Sequence, residues 1–177
     1  SQALREVQLR QIIDFSAKQN LLKYASKSYL ENLGAFHKIT RFQPTKAVVT
    51  EKFMLSAPQA TDQIIPSGIR VSAGGDIYFE TTGEITVEAG LTEITAVLQC
   101  TQEGKKGNGF TPGQLNVLVD PIPWIATVAN TDTSQGGADI EDDESFRERI
   151  WIAPEGFSVA GPEGAYIYHA KQYSPLI

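Results

Sequence analysis

The 177-residue chain is poor in the side chains that cross-link, bind metals or shuttle protons: it has one cysteine, one methionine and two histidines. Cys100 has no partner for an internal disulfide and reads as a small buried hydrophobe in a reducing compartment. His37 and His169 form no H-x-x-x-H pair, and with Cys100 they give no zinc spacing. No apolar run approaches the roughly 18 residues that a membrane span needs, and Ser1 opens no secretory signal. Basic residues number 15 against 21 acidic ones, a net charge of −6, and they are scattered. That balance argues against a nucleic-acid surface, which needs clustered Lys and Arg to displace counterions. The expectation is therefore no metal, no cofactor, no nucleic acid, no membrane and no small-molecule substrate. A composition with 41% hydrophobic and 20% charged residues predicts one or two compact units.

Familiar catalytic patterns fail one by one. Gly104-Lys105-Lys106-Gly107-Asn108-Gly109 lacks the GK[ST] ending of a phosphate loop and reads as a hairpin turn. The acids Asp139, Glu141, Asp142, Asp143 and Glu144 miss the glycine and the final glutamate of a calcium loop, and suit a solvated helix start. Around Ser158 the second glycine comes one residue too late for a nucleophile elbow. Ser158, His37 and His169 are accordingly not expected to converge, and the chain is not read as an enzyme. Tyr78, Trp124, Trp151 and Tyr166 leave one alternative of another class, a carbohydrate-binding module with aromatic loops; core or interface packing is the competing explanation.

What is present begins with a helix. Residues 3–26 contain no Pro or Gly and predict about 24 helical residues, about 36 Å long. One apolar stripe runs Leu4, Val7, Phe15, Leu22 and Ala25, a second runs Leu9, Ile13, Ala17 and Tyr24, and Ile12 lies between them. Two opposed stripes have two explanations. One face can meet the β-rich domain and the other a short helix at 27–33 that Gly34 terminates, or one stripe is left for a helix of another subunit.

Beyond Gln43-Pro44 the period changes to that of strands. Segments 47–55, 69–72, 76–82, 84–88, 92–101, 114–119 and 124–130 are short, rich in β-branched and aromatic residues, and separated by Gly and Pro. No helical insert interrupts them before Asp139, which disfavours parallel βαβ units. The predicted class is α+β: a long and a short N-terminal helix, a central antiparallel β sandwich or partly open barrel, and short C-terminal helices. Three segments follow, namely 1–43 helical, 44–131 β-rich, and 132–177 carrying a glycine turn, an acidic helix, a connector and a short helix that reads as truncated at its C-terminal end.

That connector, Ala153-Pro154-Glu155-Gly156-Phe157-Ser158-Val159-Ala160-Gly161-Pro162-Glu163-Gly164-Ala165-Tyr166, combines turn residues with a helix start. Gly161 occupies the N-cap position, Pro162 the first helical position, and Phe157 and Val159 supply apolar anchors. It resembles the signature of the baseplate assembly protein J family. Ile65-Pro66-Ser67-Gly68-Ile69-Arg70-Val71, Gly107-Asn108-Gly109-Phe110-Thr111-Pro112-Gly113-Gln114 and Gly136-Gly137-Ala138-Asp139 with the acidic helix resemble the same family, in the same order. The resemblance implies a structural wedge subunit of a contractile tail baseplate that contributes helices to a bundle with other wedge subunits, including a second copy of itself. It also implies a place in the virion after assembly in the bacterial cytoplasm.

Overall fold

The computed structural model describes residues 2–154 together with Ile167, Ala170 and Tyr173. The chain divides into two compact units, Ser1–Gln43 with Glu141–Ile177, and Pro44–Ile140. The second is thus inserted between two halves of the first. The described helices are α1 (Gln2–Gln19), α2 (Lys27–Phe36) and α3 (Asp143–Ile152), and none is long and apolar enough to cross a membrane.

Helix α1 stops at Gln19, after 18 residues rather than about 24 and a length of about 27 Å. The cause lies in tertiary hydrogen bonding. Arg147 of α3 donates to the carbonyls of Leu22 (2.8 Å) and Ala25 (2.7 Å), so these acceptors serve another helix. The buried Gln19 side chain spans the turn, donating to the Tyr24 carbonyl (3.1 Å) and accepting from the Ser26 amide (3.0 Å). With the chain folded back in this way, Leu22 and Ala25 pack with Leu30, Ile39, Phe146, Ile150 and Ala153 instead of continuing an α1 stripe.

Gly34 does not terminate the second helix as expected; α2 continues to Phe36 and ends where Lys38 takes a positive φ of 57°. The glycine is needed for packing, because a Cβ there would lie 2.8 Å from Cζ of Phe146 and 3.0 Å from the Ile39 carbonyl. Gly34→Ala is therefore expected to push α3 away and destabilise the helical unit by about 1–3 kcal/mol, despite the better helix propensity of alanine. Urea denaturation followed by Trp151 fluorescence measures it. Asp142 caps α3, accepting from the Ser145 amide at 2.9 Å, as the acidic helix start predicts.

In the inserted unit, β1 (Lys46–Leu55), β3 (Arg70–Ser72), β4 (Tyr78–Thr81), β6 (Glu93–Glu103), β7 (Val117–Leu118) and β8 (Ile125–Asn130) form one antiparallel sheet ordered β7-β3-β4-β6-β1-β8. The sheet curls until β7 and β8 lie against each other, giving a nearly closed, partly open barrel. A separate ribbon pairs β2 (Gln63–Ile65) with β5 (Ile85–Val87). Strand β1 shows the expected alternation: Ala47, Val49, Glu51, Phe53 and Leu55 are buried, with Val48, Thr50, Lys52 and Met54 on the outer face. Phe53, Phe79, Leu98, Cys100 and Leu115 fill the interior.

The segment 104–109 is not the expected hairpin turn. It follows β6 and leads towards β7, which sits three places away in the sheet, and it contains a 3-10 turn at Lys105–Gly107. Gly107 presses on Cys100, where a Cβ would meet Sγ at 2.8 Å, so the glycine-rich spacing serves a close approach. Where the chain enters and leaves the barrel, Thr45 and Ala138 form an antiparallel bridge, with the Thr45 amide donating to the Ala138 carbonyl at 2.9 Å.

Candidate functional site

The residues singled out on the first helix lie on open surface. Leu4, Val7, Leu9, Ile12, Ile13 and Phe15 are each 53–67% exposed, Ala17 is exposed, and Gln19 is the single buried residue of α1. Tyr24 is also exposed and Leu22 half-buried, but both belong to the turn after α1. Phe15 makes an edge-to-face contact with Tyr29 of α2 at 6.4 Å. The two stripes are therefore both bare, and the reading in which the chain's own short helix covers one of them does not hold for α1. On the same surface Glu6 pairs with Arg10 and Asp14 with Lys18, each at 2.6 Å and four residues apart. Such exposed pairs hold the helix together in isolation rather than anchor it to a neighbour.

Of the connector residues, Pro154 is exposed at the end of the described segment; Gly156, Phe157, Val159, Gly161, Pro162 and Tyr166 lie outside the described residues, as do Ser158 and His169. Pro154 lines an open apolar trough with Leu22, Leu33, Phe36, His37, Ile150 and Trp151. Phe36 and Trp151 are among the most exposed large side chains, at 83% and 74%.

Sequence reasoning missed a buried ionic clasp in the helical unit. Arg149 donates to Glu141 Oε2 at 2.5 Å and to the Thr40 carbonyl at 3.2 Å, and its guanidinium lies 3.8 Å from the centre of the Phe42 ring. Arg41 donates to the Glu141 carbonyl and to Asp143 Oδ1, both at 2.6 Å, and stacks on Phe146 at 4.8 Å. The Phe42 amide donates to Glu141 Oε2 and the Glu141 amide to the Phe42 carbonyl. Glu141 thus joins the segments on either side of the insertion. The one sequence signal was the run of acids, read as a solvated helix start; Glu141 is only 5% exposed. Asp143 also accepts from the Lys27 amide, which holds its carboxyl below the usual carboxylate range, with Arg41 adding to the effect.

The barrel carries two more polar groups of interest. Asn130 of β8, 3% exposed, accepts from the Leu115 amide (2.9 Å) and donates to the carbonyls of Phe110 (3.3 Å), Thr111 (2.9 Å) and Asp132 (2.7 Å). It fastens the 110–115 segment to β8 and so closes the barrel seam. Beside it in register on β1 is Glu51, fully buried, with neither carboxyl oxygen hydrogen-bonded. Burial, reinforced by the like charge of Asp132, pushes the Glu51 carboxyl up to about 8.

The aromatic residues considered for a sugar platform are divided between the units. Trp124 packs on the barrel core, Tyr78 has the Arg70 guanidinium over its ring at 5.7 Å, and Trp151 belongs to the helical unit. Arg70 itself is tied to Asp120 by two charge-assisted bonds of 2.9 and 2.8 Å.

Residues 52–137, from within β1 to the residue before the Thr45–Ala138 bridge, match the model of the Baseplate J-like protein barrel domain. Over these residues, just under half of the chain, the barrel is similar to that of baseplate J-like proteins. The Escherichia coli (strain K12) protein JayE is 29% identical over 118 residues, covering 61% of this chain and 42% of that protein. A chain of the cryo-EM structure of the anti-feeding prophage baseplate, 6-fold symmetrised, aligns at TM-score 0.45 and 11% identity, over 82% of this chain and 46% of that one. The chain thus spans less than half the length of either. The segments that carry the resemblance have physical roles in the barrel: Asn108 exchanges two hydrogen bonds with Gly137 (2.7 and 2.9 Å), and Phe110 packs edge-to-face on Phe79 at 5.8 Å.

Proposed function

We propose that this chain is a wedge subunit of a contractile tail baseplate, whether of a phage, a tailocin or a secretion-type machine. Its work is to hold partner chains and transmit the rearrangement of contraction, with no substrate of its own. The observation that supports this most directly is α1, whose apolar side chains are bare on two opposed faces. An exposed patch of several hundred Å² on a helix is characteristic of an interface. Leu4, Val7, Phe15 on one face and Leu9, Ile13, Ala17 on the other then receive helices of other wedge subunits, a second copy of this chain among them, with Leu22 and Tyr24 at the base. The assembled particle is the site of action, and assembly takes place in the bacterial cytoplasm.

Co-expression with the proteins of its own gene cluster tests the proposal. The wild-type chain is expected to co-purify with neighbouring baseplate subunits. Ile13→Asp and Phe15→Asp should each keep wild-type circular dichroism, because neither residue is in the core, while losing that association at least tenfold. Loss of helicity in either variant, or unchanged association in both, overturns the assignment of α1 as the docking element. The carbohydrate alternative has no support from the divided aromatics.

A further inference from the structure

We propose that Glu51 and Asn130 form an ionisable latch on the barrel seam: when the Glu51 carboxyl loses its proton, it draws the Asn130 amide from the carbonyls it holds, and the 110–115 segment lifts from β8.

The geometry begins with register. Glu51 and Asn130 are directly opposed on antiparallel β1 and β8, and both are buried, so their side chains share the interior face with Cβ atoms about 5 Å apart. A neutral carboxyl can remain in such a place at modest cost, whereas a carboxylate requires donors or a cation. Among the described residues, no cation is hydrogen-bonded to Glu51. Lys52 is on the outer face of β1, paired with Glu93 at 3.1 Å. Strand β8 has no charged residue, and β6 has Glu93 and Glu103 at its two ends, with Ala96 opposite Glu51. Asp132, following β8, repels a second negative charge, and its oxygens already accept from the amide and hydroxyl of Thr50, both at 2.8 Å.

The donor that register places beside Glu51 is the Asn130 amide, and its two protons are already shared among three carbonyls. Turning one towards a carboxylate releases Phe110 or Thr111. The Asn130 side-chain and main-chain oxygens also accept from the amides of Leu115 and Gly113, both at 2.9 Å, so these two amides report whether the seam is closed.

Opening replaces a carboxyl titrating near 8 by one of ordinary acidity near 4.5. The opening equilibrium then rises about tenfold per pH unit between these values and levels off above the upper one. Hydrogen exchange of the full chain at pH 5.5 to 8.5, corrected for intrinsic rates, tests this. The expected result is that protection of Leu115 and Gly113 falls about tenfold per pH unit, is nearly independent of low urea, and becomes flat with pH in Glu51→Gln. Asp132→Asn, which retains Glu51, should move the levelling point to lower pH and guards against failure of the first variant to fold. The proposal is overturned if protection in the wild type does not change with pH. It is equally overturned if the slope persists in Glu51→Gln, or if it appears only through a urea-dependent unfolding that the β4 and β6 amides share.

Discussion

Glu141→Ala is expected to destabilise the helical unit by about 3–5 kcal/mol, enough to unfold a marginal assembly of short helices. The substitution removes the carboxylate that faces Arg149 at 2.5 Å and accepts from the Phe42 amide, while Arg149 remains 8% exposed. A guanidinium left in that position keeps its contact with the Phe42 ring but has lost its counter-charge. The cost arises from that unpaired charge more than from the ion pair itself, so Glu141→Ala combined with Arg149→Leu should recover a large part of the loss. Urea denaturation of the single and double variants decides it; additive losses would mean that the two residues act independently.

Gly137→Ala should have a comparable effect on the barrel, about 3 kcal/mol. An added methyl group would press into the Gly104 carbonyl and lie 2.9 Å from Asn108 Oδ1 and 3.2 Å from the Ala47 amide. Backbone atoms form most of that contact, and Asn108 is fixed by its paired bonds to the Gly137 main chain, so no flexible side chain can yield. The companion substitution Gly136→Ala meets only Val48 at 4.0 Å, and its cost comes from the φ of 87°. Thermal melts should separate them, with Gly137→Ala the lower. The reverse order would place backbone strain above packing at this turn.

The sheet was legible because its physics is local. Seven of the eight strands of the inserted unit announce themselves through alternation and turn residues, and the missed one, Gln63–Ile65 of the ribbon, is three residues long before Pro66. Pairing was less legible: 84–88 reads as one more strand of the sheet, yet β5 pairs only with β2. Where reading failed, the deciding partner was far away in sequence. Nothing near Leu22 indicates that Arg147 takes its carbonyl, and nothing near Gly34 indicates a phenylalanine ring 112 positions later. The site residues divide similarly. Apolar stripes on α1 can be read directly because exposure leaves the pattern undistorted. The clasp of Arg41, Glu141 and Arg149 cannot, because charged residues in the sequence read as surface until burial is known. The two units should also respond oppositely to pH. Asp142 and Asp143, held low by the Ser145 and Lys27 amides, contribute stability that is lost as pH falls through their depressed range. Glu51 contributes stability that is complete below about 4.5 and is lost as pH rises towards 8.

The antiparallel bridge between Thr45 and Ala138, and the matching pair of Phe42 and Glu141, make the barrel a cassette with a narrow doorway. Strands bridged in this way hold their Cα atoms about 5 Å apart, a gap that a few Gly and Ser residues close with little entropic cost. A helical scaffold interrupted at such a point can accept a longer, shorter or different insert while its own helix contacts remain in place. The barrel and the helices are thereby free to change at different rates, each constrained by its own packing.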